Sequence, residues 1–285
     1  MSWQLLVGIS VVLYSVSVLL QRLLLKDEKS EPISFSIFFQ VGVALTIAVL
    51  VLLIHGSIPL PDFSEISWSV LIMTVLYALA NISIFKSLKA TEASRFTVIF
   101  SSRTIFAVIA TSVVFSETLT INQWFGALLI IIGVIIVSIK ETKSKINKGD
   151  LLAMIAAVLF GLANTNDRFL VKFFDPYSYV IIGFLLPAIL IGIIYPKKIT
   201  GIKTYFKKDF IYKMILLCTL YGLSALAFFT ALQITPNASL AFAMYAFSGV
   251  LTVVLAIILL KEKDYLSRKI VGAVLSLVGL LLTNK

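Results

Sequence analysis

Ten runs of about twenty apolar residues follow one another through the chain, near residues 3–25, 33–54, 66–88, 93–115, 119–139, 149–172, 177–195, 211–233, 237–260 and 267–283. About twenty residues is what an α-helix needs to cross the hydrocarbon core of a bilayer. In hydrocarbon each segment must satisfy its own backbone N–H and C=O groups, so runs of this kind fold as helices. Brief polar stretches such as "KATEA" (89–93) and "ITPNA" (234–238) separate some of them, which predicts tightly packed antiparallel neighbours. The chain is 60% hydrophobic and 13% charged, against about 45–50% and about 25% for a soluble domain. No connection is long or polar enough to form a soluble domain. The N-terminal "MSWQLLVGISVVLYSVSVLL" has no basic region and no small-residue cleavage site before Gln21, so it reads as a retained first span.

The chain repeats itself. "LLVGISVVLYSVSVLLQRLLLK" (5–26) lies over "LLAMIAAVLFGLANTNDRFLVK" (151–172) at an offset of 146, pairing Leu13 with Leu159 and Arg22 with Arg168. "LYALANISIFKSLKAT" (76–91) lies over "LYGLSALAFFTALQIT" (220–235) at 144, and "GALLIIIG" (126–133) over "GAVLSLVG" (272–279) at 146. Two five-span units result, residues 1–146 and 147–285. Five is odd, so the second unit enters the membrane from the opposite side as an inverted repeat. The fold expected is an all-α integral membrane protein of ten transmembrane helices.

Charge gives an independent test. Twenty Lys and Arg lie on connections 1–2, 3–4, 5–6, 7–8 and 9–10, whereas connections 2–3, 4–5 and 8–9 carry none and 6–7 carries Arg168 and Lys172. Under the positive-inside rule this alternation places both termini outside. The net charge of +10 therefore marks orientation and contact with anionic lipid rather than nucleic acid. Cys218 is the only cysteine and His55 the only histidine, so neither an internal disulfide nor a metal cluster is expected, and no cofactor. HExxH, GxSxG and DxD motifs are all lacking, which argues against an enzyme.

The architecture resembles the EamA-type ten-helix members of the drug/metabolite transporter superfamily. The local matches are "SLKATEAS" (87–94) and "ALQITPNAS" (231–239), with Glu117 and Glu262 ending the fourth helix of each repeat; Ser116 and Lys261 replace the glycine usual before that glutamate. The resemblance implies a secondary transporter, an exporter, whose cavity is lined chiefly by helices three, four, eight and nine, with one and six contributing. It also implies cytoplasmic termini, against the charge bias, which we follow.

Candidate solute-binding residues come from the faces of those helices. Arg103 stands in an otherwise apolar or small stretch, "TVIFSSRTIFAVIATSVV" (97–114), where a guanidinium costs from about 2.5 to above 10 kcal/mol. Such a cost points to an anion in a cavity, or to a buried pair. Helix three presents Thr74, Tyr77, Asn81 and Phe85 on one face, and helix eight Cys218, Tyr221, Ala225 and Phe229. Ser10, Tyr14, Ser17 and Gln21 share a face of helix one, and Phe160, Asn164 and Asp167 one of helix six. Tyr245 is a further candidate, with Gln40 and Ser248 weaker ones. Asp167 either exchanges a coupling proton, pairs with Arg103, or pairs near its helix end with Arg168 or Lys172. The stripe Ser94, Thr97, Ser101, Thr104 and Thr111 reads as packing.

The partners expected are a small-molecule solute, a coupling proton and the lipid of the cell membrane, with the protein a monomer or homodimer. An amino acid or related carboxylate fits the fixed cation beside rings. The alternatives are a nucleoside or sugar derivative, and multidrug export of lipophilic cations.

Overall fold

The computed structural model describes residues 1–25, 27, 30–90, 96, 99–100, 102–117, 119–138, 147–260 and 266–283. Every regular element among them is a helix: α1 (Trp3–Leu25), α2 (Pro32–His55), α3 (Ser67–Ala90), α4 (Arg103–Phe115), α5 (Ile121–Ser138), α6 (Lys148–Leu170) and α7 (Pro176–Ile194). A short connector, Pro196–Ile199 running into a 3-10 segment at Thr200–Phe206, leads to α8 (Lys208–Ile234), α9 (Ala238–Tyr245), α10 (Phe247–Leu260) and α11 (Leu266–Thr283). Six of these, α1, α2, α3, α6, α7 and α8, are long and apolar enough to cross a membrane. Shorter apolar helices lie at Arg103–Phe115, Ile121–Ile136, Ala238–Thr252 and Ile270–Gly279. Large apolar side chains such as Leu53, Trp68, Val113 and Ile193 face outward, as lipid-facing surfaces require.

Local chemistry sets the helix ends. Pro32 opens α2 after Glu31, whose carboxylate accepts the Ser34 N–H at 2.8 Å, and Gly56 ends it in the left-handed region. Asn147 and Asp150 form a reciprocal capping box at the start of α6. Ser116 ends α4 with φ 52°, a left-handed terminus that favours glycine. Glu262, Ser94, Thr97 and Ser101, singled out above, lie outside the described residues.

The main pairings are α3 with α6, α1 with α8, α2 with α7, α5 with α11, α4 with α6, and α1 with α10. The α5–α11 contact is antiparallel and reciprocal. A Cβ on Gly133 would come within 2.5 Å of the Gly272 carbonyl, and one on Gly279 within 2.6 Å of the Gly126 carbonyl. Small residues here let two backbones touch, as membrane packing commonly demands.

The connections collect at two ends. At one, Lys198 pairs with Glu31 at 3.2 Å, Lys86 donates to the Tyr195 hydroxyl at 2.7 Å, and Ser87 donates to the Gly149 carbonyl. At the other, Ser178 donates to the Pro59 carbonyl, Gln233 to those of Val171 and Phe174, and Arg168 pairs with Glu117. Two large apolar clusters fill the body, with a small third one at Ile130, Val134 and Val250. One is centred on Met73, Val108, Leu170 and Phe242, the other on Phe35, Ile47, Ile191 and Leu217, and Phe229 packs against both.

Candidate functional site

Where the clusters meet, a cavity of about 100 Å3 lies between α2, α3, α4, α6, α7, α8 and α9. Its polar lining comprises Gln40, Tyr77, Asn81, Arg103, Thr104, Asn164, Tyr179, Tyr221 and Tyr245. Aromatic rings from Phe39, Phe160, Phe184, Phe228, Phe229 and Phe242 complete it. Six of the eight expected solute residues therefore share one space.

Arg103 sits in the first turn of α4, which packs closely on α6: the Gly161 Cα is so near that a Cβ there would meet Phe106 Cβ at 2.6 Å. That contact brings the guanidinium over Phe160, at 5.1 Å, with Phe100 at 4.5 Å and the Tyr14 ring at 5.9 Å. Among the described residues its side-chain hydrogen bond is a long one, Nη2 to the Tyr14 hydroxyl at 3.4 Å. Among the described residues no acid pairs with it. A guanidinium has five N–H donors, so most of the donor capacity of Arg103 is left to the cavity. The rings offer cation–π attraction but no hydrogen-bond acceptors of comparable strength.

Tyr14 lies behind the lining, its ring 5.5 Å from that of Tyr221 and 5.3 Å from that of Tyr245. Gln21, on the same face of α1, does not reach the cavity. On α3, Asn81 donates to the Tyr77 carbonyl at 2.8 Å and lies 3.5 Å from Gln40 Oε1. Pro187 in α7 has no N–H for the Gly183 carbonyl one turn back, and Gly183 is part of the cavity wall. Of the hydroxyl stripe, Thr104 lines the cavity and Thr111 hydrogen-bonds Ser239 at 2.7 Å.

Asp167 pairs with none of the three cations considered for it. Fully buried, it accepts from Tyr179 through Oδ1 and from Tyr77 through Oδ2, each at 2.5 Å. Arg168 turns the other way, to Glu117 Oε1 at 3.4 Å and the Leu232 carbonyl at 2.7 Å. Lys172 lies against the Phe115 ring at 5.6 Å. Tyr179 was absent from the candidates drawn from sequence, because spacing along one helix cannot say which other helix faces it.

A family model of EamA-like transporters matches the sequence twice, over residues 1–139 and 147–285. The chain belongs to the EamA-like transporter family. Within the drug/metabolite transporter superfamily, members of this family are membrane transporters rather than enzymes, and the EamA-like chain is a multi-pass membrane protein. A solved crystal structure titled only as that of a protein superposes with a TM-score of 0.78 over 99% of this chain and 98% of its own, at 13% identity, which shows a shared fold. None of the curated proteins compared with the sequence matches it.

Proposed function

We propose that this EamA-like protein is a secondary active transporter that moves a small amphipathic carboxylate, first of all an amino acid, by alternating access through the cavity. The observation that carries this reading is Arg103: a guanidinium in an aromatic cavity, with one hydrogen bond of 3.4 Å and no acid partner among the described residues. A carboxylate that accepts two parallel N–H bonds supplies what the site lacks. The surrounding rings suit an apolar side chain.

The transporter reading includes ten spans in two inverted repeats, residues 1–146 and 147–285. Support comes from the two family matches, from pairings that interchange when the repeats are exchanged (α3–α6 with α8–α1), and from the antiparallel, reciprocal glycine contact of the two fifth helices. We place the protein in the cell membrane as an exporter, with a proton taken up at Asp167 as the coupling ion. Export of lipophilic cations fits less well, since Arg103 repels cations and both Asp167 oxygens are occupied.

Thermal-shift screening of the purified protein against amino acids, organic acids, nucleosides and cationic dyes tests the solute class. A true solute present at one hundred times its Kd stabilises by about 2.7 kcal/mol. Amino acids or carboxylates should raise the melting temperature. Stabilisation by dyes or nucleosides alone overturns the class.

A further inference from the structure

Tyr77 has one hydroxyl proton and two acceptors within reach, Asp167 Oδ2 at 2.5 Å and Asn164 Oδ1 at 3.2 Å. Its ring meets that of Phe160 at 5.0 Å, and Phe160 lies under the Arg103 guanidinium. Tyr77 thus touches both the buried acid and the wall of the solute cavity. A carboxyl group inside a membrane protein normally has a cation as partner; among the described residues no ion pair reaches Asp167.

The groups that face it are these. α3 supplies Tyr77, and α7 supplies Tyr179, held by the Phe229 ring of α8 at 4.7 Å. Of the nearby cations, Arg103 of α4 is bonded to Tyr14, and the Arg168 that follows Asp167 on α6 is engaged with Glu117, so neither pairs with the acid.

Building on the transport reading, we propose that Asp167 is the proton-exchange site and that Tyr77 reports its state to the solute cavity by moving its O–H between Asp167 and Asn164. Ionised, the carboxylate accepts both phenols. When hydronium gives Oδ2 a proton and leaves as water, the new O–H becomes a donor and turns to the phenol oxygen of Tyr77. The Tyr77 proton then swings to Asn164 Oδ1. One O–H bond breaks in hydronium, one forms on the acid, and nothing else changes covalently. Tyr179 keeps donating to Oδ1 and is the positioning residue that fixes the carboxyl. Both Tyr77 and Asn164 line the cavity, so the solute meets a different hydrogen-bond surface in each protonation state.

Infrared difference spectroscopy of the purified full chain, exchanged between alkaline and acidic buffer, reads this without any solute. Wild type should gain a protonated-carboxyl C=O band, accompanied by a tyrosine C–O change. Asp167→Asn should lack both. Tyr77→Phe should keep the carboxyl band at a shifted frequency and lose the tyrosine signal. If Asp167→Asn does not fold, Asp167→Glu serves in its place and should displace the band. A band unmoved by either Asp167 variant, or a Tyr77→Phe spectrum identical to wild type, overturns the proposal.

Liposomes holding a pH-sensitive dye, challenged with an equimolar mixture of the twenty amino acids, separate this idea from the solute class. Wild type should move protons with amino acids, and Tyr77→Phe should lower the number of protons moved per amino acid whatever its effect on the amino-acid flux itself. Amino-acid flux without proton flux in wild type overturns the coupling. A titrating Asp167 without flux of any amino acid supports the proton site and overturns the solute class.

Discussion

Arg103 stands in a membrane-buried cavity with most of its hydrogen-bonding capacity turned to the interior and no acid to balance it among the described residues. On the proposed transport reading, its role is set by what enters the cavity rather than by the fold. Arg103→Gln and Arg103→Lys should each lower transport of an anionic or zwitterionic solute at least tenfold, about 1.4 kcal/mol, because an ammonium cannot reproduce a planar pair of donors. Melting temperatures should stay near wild type. A poorly folded Arg103→Gln would show a structural role instead. Much of this site was readable in advance. Tyr77 and Asn81 are one helical turn apart on a face that also carries Thr74 and Phe85, and both line the cavity. Gln21 fails for a reason of depth: it shares an angular face with Tyr14 but lies seven residues further, about 10 Å along the axis, beyond the cavity. Periodicity gives direction around a helix, not level in the membrane. Tyr179 was missed because a tyrosine three residues into an apolar run carries no mark of partnership until α6 and α7 are placed side by side.

The element scale is governed by what happens where helices stop. Glu117, just past the left-handed Ser116, places Oε1 on the Ala238 N–H at 2.9 Å and Oε2 on the Ser239 N–H at 2.8 Å, capping the start of α9. Arg168 binds the same carboxylate and donates to the carbonyls of Leu232 and Pro236 at the end of α8. One buried ion pair therefore ties α4, α6, α8 and α9 together. Its side chains are only 7% and 12% exposed, and breaking a buried pair on one side costs about 3–5 kcal/mol. Glu117→Gln should destabilise by about that amount in a denaturation series. Adding Arg168→Gln should cost less than the two single losses summed, since no unpaired cation remains. The glycine usual before this glutamate in the family makes physical sense, because a left-handed residue with a side chain is strained. Helix limits followed the apolar runs to within about three residues wherever both are described, since burial in lipid leaves little room for other structure. The turn at Ala246 that separates α9 from α10 was not legible: its backbone stays in the right-handed helical region, at φ −58° and ψ −24°, no proline marks it, and hydropathy runs through it unbroken.

At the scale of the whole molecule, the proposed inverted repeat would make the internal repeat and the alternation of charge two records of one constraint. A five-span unit used twice must face both ways, and lysines and arginines then have to shift from the connections after its odd helices to those after its even helices. The described connections collect at two ends. Lys198, Lys86 and Gly149 meet partners at one end, while the connections around Pro59, Glu117, Phe174 and Pro236 meet at the other. Arg168, one of the two Lys and Arg residues on the connections of that second end, is neutralised by Glu117, which deepens the contrast between the ends. Each exposed basic residue beside an anionic cytoplasmic leaflet contributes about 1 kcal/mol to orientation, so a bias of twenty against two outweighs the cytoplasmic termini that family resemblance implies. Reporter fusions at residues 143–147 and 203–207 should therefore be active in the cytoplasm, and one at the C-terminus outside. An active cytoplasmic reporter at the C-terminus would reverse the molecule in the membrane and reverse which face of the cavity each repeat opens, while leaving Arg103, Tyr77 and Asp167 in the same mutual arrangement.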